Sequence, residues 1–131
     1  MRGSESNETD DRDSQWAERV CVAVVRFHDR SLRLSLRDAF ELASADLSDR
    51  SQFLKQTSDW LRTHPELVHE WFLFSSNTRS TPWPYLSLER LEVGFVSVKG
   101  QFEDVQRWEN GPDACADYLY RAFKWVLCSE R

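Results

Sequence analysis

The chain has 131 residues, of which 40% are hydrophobic, 13% aromatic and 30% charged, and its formal net charge is -5. This length and balance predict one soluble globular domain with a single core. The net charge argues against a nucleic-acid-binding protein, and the apolar run from Val20 to Val25 is far shorter than a membrane helix requires.

The first fifteen residues contain five acidic and two basic side chains and, after Met1, no large apolar group. Such a segment cannot bury enough surface to offset the entropy of ordering, so we expect a disordered acidic tail at 1–15 and one domain at 16–131. The start does not resemble a signal peptide, and the three cysteines show no CxxC spacing. We therefore expect a cytoplasmic protein with reduced thiols, no metal site and no cofactor.

Helical periodicity dominates the first part of the domain. Apolar residues recur at helical spacing over 15–28, where a strand pattern is an open alternative because valine is frequent. They recur again over 32–46, where Ser35 and Asp38 are spaced as a capping box. Both segments are therefore predicted to be helices.

The middle of the chain predicts a change from helix to strand. A third helix is expected from an N-cap at Ser48 to His64, because Pro65 disfavours helical geometry in the residue before it. Pro65 can open one further helical turn. The dense aromatic residues at 69–75 then predict a strand, and a loop is expected at 77–84.

Extended structure is predicted from 86 to 99. Apolar residues on both faces of this segment indicate a central strand, and Gly94 indicates a bulge or a close backbone approach. Gly100 allows a tight turn into an edge strand at 101–108, for which a short helix is an open alternative. The sheet is thus expected to be a small antiparallel meander.

The last element is predicted to be an amphipathic helix that follows Asn110-Gly111-Pro112. Its apolar stripe contains Cys115, Leu119, Ala122 and Val126. Its opposite side carries Asp113, Asp117, Arg121 and Lys124, with acids early and bases late as the helix dipole favours. The whole pattern predicts an α+β fold: N-terminal helices, a small antiparallel sheet of two or three strands, and a C-terminal amphipathic helix.

No residue pattern of an enzyme stands out. The three histidines, His28, His64 and His69, are not spaced as metal ligands. Cys115 lies near a predicted helix N-terminus, as a nucleophile would, yet it belongs to the apolar stripe, which favours core packing. We therefore predict no catalytic residue. The sequence favours a protein that is not an enzyme over one that is.

Arginine is the preferred basic residue, and four arginines lie close together in sequence: Arg26, Arg30, Arg33 and Arg37. Guanidinium groups bind phosphates and carboxylates in bidentate fashion, so this stripe could hold either kind of anion. The negative net charge argues against nucleic acid, and a solvated helix face is the simpler alternative.

Trp83 lies between Pro82 and Pro84, which lack a backbone N–H and fix φ. This excludes it from a helix interior and from a central strand. Together with Arg79 and Tyr85 it has the composition of an interface hot spot, so we predict partner binding by Arg79, Trp83 and Tyr85. The alternative is that Trp83 folds back over the sheet and fills the edge of the core.

Three segments of the second half resemble the small, tryptophan-rich immunity proteins that neutralise bacterial toxins. They are Glu70-Trp-Phe-Leu-Phe-Ser, Val93-Gly-Phe-Val and Ala114-Cys-Ala-Asp-Tyr-Leu. The resemblance implies a protein that blocks a protein partner stoichiometrically, without turnover. The alternative function is a small enzyme or ligand-binding protein with a pocket between sheet and helices, lined by Trp108, Tyr118 and a histidine.

Overall fold

A computed structural model of the chain describes residues 16–77 and 82–128. Within these residues the chain forms six helices and a three-stranded antiparallel sheet, which confirms the predicted α+β fold. The helices are α1 (16–21), α2 (Ala23–His28), α3 (Leu36–Ala43), α4 (Arg50–Arg62), α5 (Pro65–Asn77) and α6 (Gly111–Cys128). The strands are β1 (Trp83–Ser87), β2 (Glu92–Val96) and β3 (Phe102–Arg107). The tail expected at 1–15 lies outside the described residues.

The first two helical predictions are confirmed, and the capping box is present. Residues 16–28 form α1 and α2, so the competing strand pattern is wrong. At the start of α3, the Ser35 hydroxyl accepts a hydrogen bond from the Asp38 N–H, and the Asp38 carboxylate accepts one from the Ser35 N–H. This helix is shorter than predicted because Ser44 takes a left-handed conformation, with φ of 54°, and ends it at Ala43.

The N-cap predicted for α4 is displaced by one residue. Asp49, not Ser48, caps the helix, since its carboxylate accepts a hydrogen bond from the Gln52 N–H at 3.2 Å. Ser48 instead donates its N–H and hydroxyl to the Asp46 carboxylate. Both are short polar residues with good capping propensity, so the sequence pattern did not distinguish them.

The strand predicted at 69–75 is wrong, because α5 continues from Pro65 to Asn77. Its buried residues recur at helical spacing: Leu67, Val68, Trp71, Phe74 and Ser75. Phe72 and Leu73 lie on the other side, half-buried and exposed. The aromatic density that indicated a strand is thus divided between two helix faces.

The sheet has the order β1-β2-β3, with β2 central and β3 at an edge, as predicted. The predicted end of the loop at residue 84 is too late, because Trp83 already belongs to β1. Residues 78–81 of this loop lie outside the described residues. Because β1 is the other edge strand, the prolines on both sides of Trp83 interrupt no central ladder. A turn at 88–91 divides the predicted extended segment into β1 and β2.

The core lies between the sheet and the helices, with α6 at its centre in contact with α3, α4, α5, β1 and β2. Aromatic side chains fill it: the Phe40 and Phe123 rings stack with centroids 3.9 Å apart. The Trp71 indole N–H donates to the Cys21 carbonyl at 2.8 Å, so this buried polar group is paired. Cys115 is buried on the predicted apolar stripe.

Candidate binding surface

The two faces of the sheet differ in their environment. Leu86 and Val93, which are cross-strand partners, point into the core and are buried. Side chains alternate along a strand, so Tyr85 and its partner Gly94 belong to the opposite face. We call this side, which carries Tyr85, Glu92, Phe102 and Arg107, the outer face. Phe102 and Arg107 are exposed on it, whereas Glu92 is buried beneath its partners.

Tyr85 is held at the middle of the outer face by a close approach to Gly94. A Cβ atom at Gly94 would lie 2.9 Å from Tyr85 Cε1 and 3.0 Å from the Glu103 carbonyl oxygen, closer than side chains tolerate. The Tyr85 ring therefore lies over the space that a side chain would occupy, as the Gly94 prediction of a close approach anticipated. Phe102 extends this aromatic surface, with its ring centroid 5.2 Å from that of Tyr85.

Glu92 fixes the outer end of the Tyr85 side chain. The Tyr85 hydroxyl donates to Glu92 Oε2, and Arg107 Nε lies 3.4 Å from Glu92 Oε1. The hydrogen bond from Tyr85, followed by the bond and charge of Arg107, lowers the pKa of Glu92. Burial, followed by the same hydrogen bond, raises the pKa of Tyr85. At neutral pH the pair is therefore a carboxylate and a neutral phenol.

Strand β3 supplies exposed apolar side chains beside this group. All its residues are exposed, and Phe102 and Val105 keep 67% and 45% of their accessible surface. Its free edge is interrupted: the pairing with β2 shifts register between Val93 and Phe95, and Asp104 takes a φ of 52°. The Asp104 carbonyl also accepts a hydrogen bond from Arg121 at 2.7 Å. Bulges of this kind oppose edge-to-edge pairing, so the face of the sheet is the surface that remains accessible.

A buried carboxylate ties β3 to the helices. Asp117, predicted on the polar side of α6, has no exposed surface and is surrounded by donors. Its Oδ1 atom accepts from Arg121 at 3.0 Å and from Arg50 at 3.2 Å, and its Oδ2 atom accepts from the Trp108 indole at 3.0 Å. The side of α6 that was predicted to be polar is therefore buried at Asp117. Because Trp108 directly follows β3, this cluster sets where the strand leaves the sheet.

The three residues predicted to bind a partner are only partly brought together. Tyr85 lies on the outer face, and Arg79 lies outside the described residues. Trp83 is half-buried: its ring packs 6.4 Å from that of Phe74, and its indole N–H donates to the Tyr118 hydroxyl at 3.4 Å. Trp83 thus contacts the core, and its partner-binding role stays a prediction.

Comparison of the chain with protein-family models, curated proteins and solved structures gives no match. Within residues 16–77 and 82–128, no group of three or more histidine, cysteine, aspartate or glutamate side chains is placed to hold a metal ion. In the same part of the chain, no helix is long and apolar enough to cross a bilayer.

A cavity of about 310 Å³ lies at the surface between α2 and α5. It is lined by Phe27, His28, Glu70, Leu73, Phe74 and Asn77. Its position differs from the predicted pocket between sheet and helices, and neither Trp108 nor Tyr118 lines it. It does bring a histidine and a carboxylate to one cavity, which is the feature expected of the alternative function.

Sequence reasoning missed Glu92 and Phe102 as members of the surface. Glu92 precedes the most strand-like run of the chain and carried no motif, and Phe102 was assigned only to an edge strand. The available signal was Gly94: a glycine in a central strand indicates a large neighbour on the next strand. Its cross-strand partner Tyr85 was selected for a different reason.

Proposed function

We propose that the chain is a non-catalytic protein-binding domain whose contact surface is the outer face of the sheet. One observation carries the proposal: Tyr85 is held in place over Gly94 by Glu92, and exposed Phe102 and Val105 lie beside it. An aromatic side chain that is already ordered loses little entropy on binding. Tyrosine, phenylalanine and arginine are also the residue types enriched at protein interfaces.

The finer proposal is that binding is stoichiometric and neutralises a protein partner, as an immunity-type protein does. The three segments that resemble immunity proteins support it. Arg107, which is exposed and pairs with Glu92, would provide the polar rim of such an interface. The partner is then expected to present an apolar patch bordered by acidic groups.

The experiment is affinity capture of the native protein from its own cells, compared with a variant of the outer face. Phe102→Ser with Val105→Ser removes the exposed apolar surface of β3 without opening the core. The control is Leu42→Ser, which removes an exposed leucine from α3. We expect one specific partner, in a 1:1 complex by native mass spectrometry, to be lost from the β3 variant alone. Identical partner lists, or loss in the control only, would contradict the proposal.

A second candidate function, small-ligand binding, is favoured by the cavity between α2 and α5. Phe27 and Phe74 give it an apolar wall, and His28 and Glu70 bring polar groups to it. Ligand-detected NMR with a fragment library tests it, using Leu73→Trp to fill the cavity. Fragments that bind the wild type and not this variant would support a ligand site, and binding unaffected by the variant would exclude this cavity.

A further inference from the structure

Three arginines form a positively charged surface where α2 ends and the connection to α3 begins. Arg26 lies in the last turn of α2, and Arg30 and Arg33 follow in the connection to α3. All three are exposed. We call them the arginine patch. It is separate from the outer face of the sheet and is not used by the proposed function.

The patch is unusual because its guanidinium groups have no partner. Within the described residues, none of the three arginine side chains donates a hydrogen bond or forms an ion pair. Six other described arginines do so: Arg19, Arg37, Arg50, Arg62, Arg107 and Arg121. Arg90, in the turn after β1, is the other described arginine whose side chain has no such bond. The patch differs because it groups three unsatisfied guanidinium groups between residues 26 and 33.

The acidic residue inside the patch does not neutralise it. Asp29 accepts the Ser31 hydroxyl at 2.7 Å and the Ser31 N–H at 3.0 Å. These two bonds, the hydroxyl first, lower the pKa of Asp29, and no arginine contributes to that shift. The Asp29 carboxylate is thus hydrogen-bonded within its own turn. With three arginines and one aspartate, the patch keeps a net positive charge.

Backbone hydrogen bonds keep the patch compact. The Asp29 N–H donates to the Arg26 carbonyl at 3.2 Å, and the Leu32 N–H donates to the Asp29 carbonyl at 3.0 Å. Two successive turns therefore bring the arginines together within a short stretch of chain. Exposed Val25 and Leu32, at 52% and 47% of their accessible surface, border it with apolar contacts.

We infer that the arginine patch docks a carboxylate-rich peptide segment of a partner protein that also carries an apolar side chain. Charge complementarity supports this occupant: unpaired guanidinium groups bind carboxylates through two parallel hydrogen bonds, and the flanking Val25 and Leu32 suit an apolar neighbour. The overall charge of -5 disfavours a long polyanion such as nucleic acid, which would meet repulsion beyond the patch. A short segment experiences only the local positive charge, because salt screens charges beyond about 8 Å.

The test measures binding of a fluorescein-labelled dodecapeptide made of Glu-Asp-Leu triplets, by fluorescence anisotropy. A Gln-Asn-Leu dodecapeptide of the same length is the uncharged probe. The patch variant is Arg26→Gln with Arg30→Gln and Arg33→Gln. Its control, Lys55→Gln with Arg90→Gln and Lys99→Gln, makes the same charge change at other exposed positions.

We expect the acidic peptide to bind wild type and control, and the patch variant at least about tenfold more weakly, with affinity falling as salt is raised. Equal loss in both variants would show a general charge effect and overturn the inference. So would equal binding of the uncharged peptide, or tighter binding of a short DNA duplex or phosphatidylserine vesicles to the same patch.

Two further outcomes decide between structural roles. If the arginines only stabilise the carbonyl end of α2, the patch variant will lower the melting temperature and leave peptide binding unchanged, which overturns the inference. A variant with Glu5, Glu8, Asp10, Asp11 and Asp13 changed to the corresponding amides tests the chain itself. If only this variant binds the peptide, the occupant is the chain's own acidic segment and the partner assignment is wrong.

Discussion

The indole N–H of Trp108 donates to Asp117 Oδ2 at 3.0 Å, which joins the residue after β3 to a carboxylate with no exposed surface on α6. Arg121, whose side chain is 14% exposed, and Arg50 bind the other oxygen of the same carboxylate. One buried charge therefore organises one indole and two guanidinium groups from three separate parts of the chain. The position of the exposed strand β3 depends on it.

Replacing Asp117 by asparagine should destabilise the protein and loosen β3. The neutral amide cannot pair with two cations. Its NH₂ group would also face donors that now form hydrogen bonds to the Asp117 carboxylate. Removing one member of a buried charged cluster costs about 3 kcal/mol, and we expect about 2 kcal/mol here because Arg50 is partly exposed. Urea unfolding measures the loss of stability. Amide hydrogen exchange should show a larger increase in rate, relative to the wild type, in β3 than in α3.

The control for this prediction is Asp59→Asn. Asp59 pairs with Lys55 and Arg62, but its side chain is 55% exposed. Exposed pairs contribute less than about 1 kcal/mol, so this variant should differ little from the wild type. Equal losses for the two variants would show that the buried position of Asp117 is not what matters.

Asp117 also shows what the sequence pattern could not supply. Helical periodicity correctly predicted α6 and its apolar stripe, and a polar residue outside that stripe is normally exposed. The partners that bury Asp117 come from residues 50 and 108, and no local spacing indicates that they meet. The sequence pattern therefore predicted helix α6 correctly but could not predict the long-range hydrogen bonds that bury its Asp117.

The error at α5 has a different origin, since its signal was local and was misread. The spacing of Leu67, Val68, Trp71 and Phe74 is helical, but the dense aromatic residues at 69–75 suggested a strand. Period alone does not separate a short buried strand from a helix with apolar residues on both sides. The uninterrupted length from Pro65 to Asn77 was the observation that favoured a helix.

The bond between Tyr85 and Glu92 predicts a pH-dependent contribution to stability. Because the pKa of Glu92 is lowered from its ordinary value of 4.5, its stabilising effect is present above that pH and is lost as pH falls through the folded pKa. Wild type should therefore exceed Glu92→Gln in free energy of unfolding at pH 7, and the difference should shrink as the pH falls below the ordinary glutamate value of 4.5. Urea unfolding at a series of pH values measures it.

Exposed Glu89 provides the comparison for this pH series, because it lies in the adjacent turn and forms no hydrogen bond or ion pair within the described residues. Glu89→Gln should follow the wild type at every pH. A wild-type advantage over Glu92→Gln that persists unchanged at low pH would mean that the carboxylate is not the source of the effect.

Gly94→Ala should destabilise the sheet by about 2 kcal/mol. The added Cβ would meet Tyr85 Cε1 at 2.9 Å and the Glu103 carbonyl at 3.0 Å, so both the ring and β3 must shift. Gly111→Ala is the matched control, because its Cβ would meet Val68 at an ordinary 3.5 Å. Thermal unfolding of both variants tests this. If Gly94→Ala were as stable as Gly111→Ala, the close approach of Tyr85 would not constrain the surface.

The three cysteines should differ strongly in reactivity. Burial raises the pKa of the Cys21 and Cys115 thiols, so little thiolate forms at neutral pH and reagents cannot reach it. Cys128 is exposed. We expect one thiol per chain to react rapidly with iodoacetamide in the native protein, and all three after denaturation. Peptide mapping should place the rapid label at Cys128; rapid labelling of Cys115 would indicate an accessible nucleophile and reopen the enzyme hypothesis.

Trp83→Ala separates the two roles considered for this residue. Its ring packs near Phe74 and its indole N–H reaches Tyr118, so truncation should remove core contacts and cost about 2 kcal/mol of unfolding free energy, less than a fully buried tryptophan. Trp83→Phe keeps most of the apolar contact and should lose less than about 1.5 kcal/mol. Chemical unfolding measures both, and affinity capture of each variant reports partner binding. A Trp83→Ala protein that is as stable as the wild type but loses a specific partner would instead make Trp83 an interface residue. In that case the side chain would contribute to binding and not to the stability of the core.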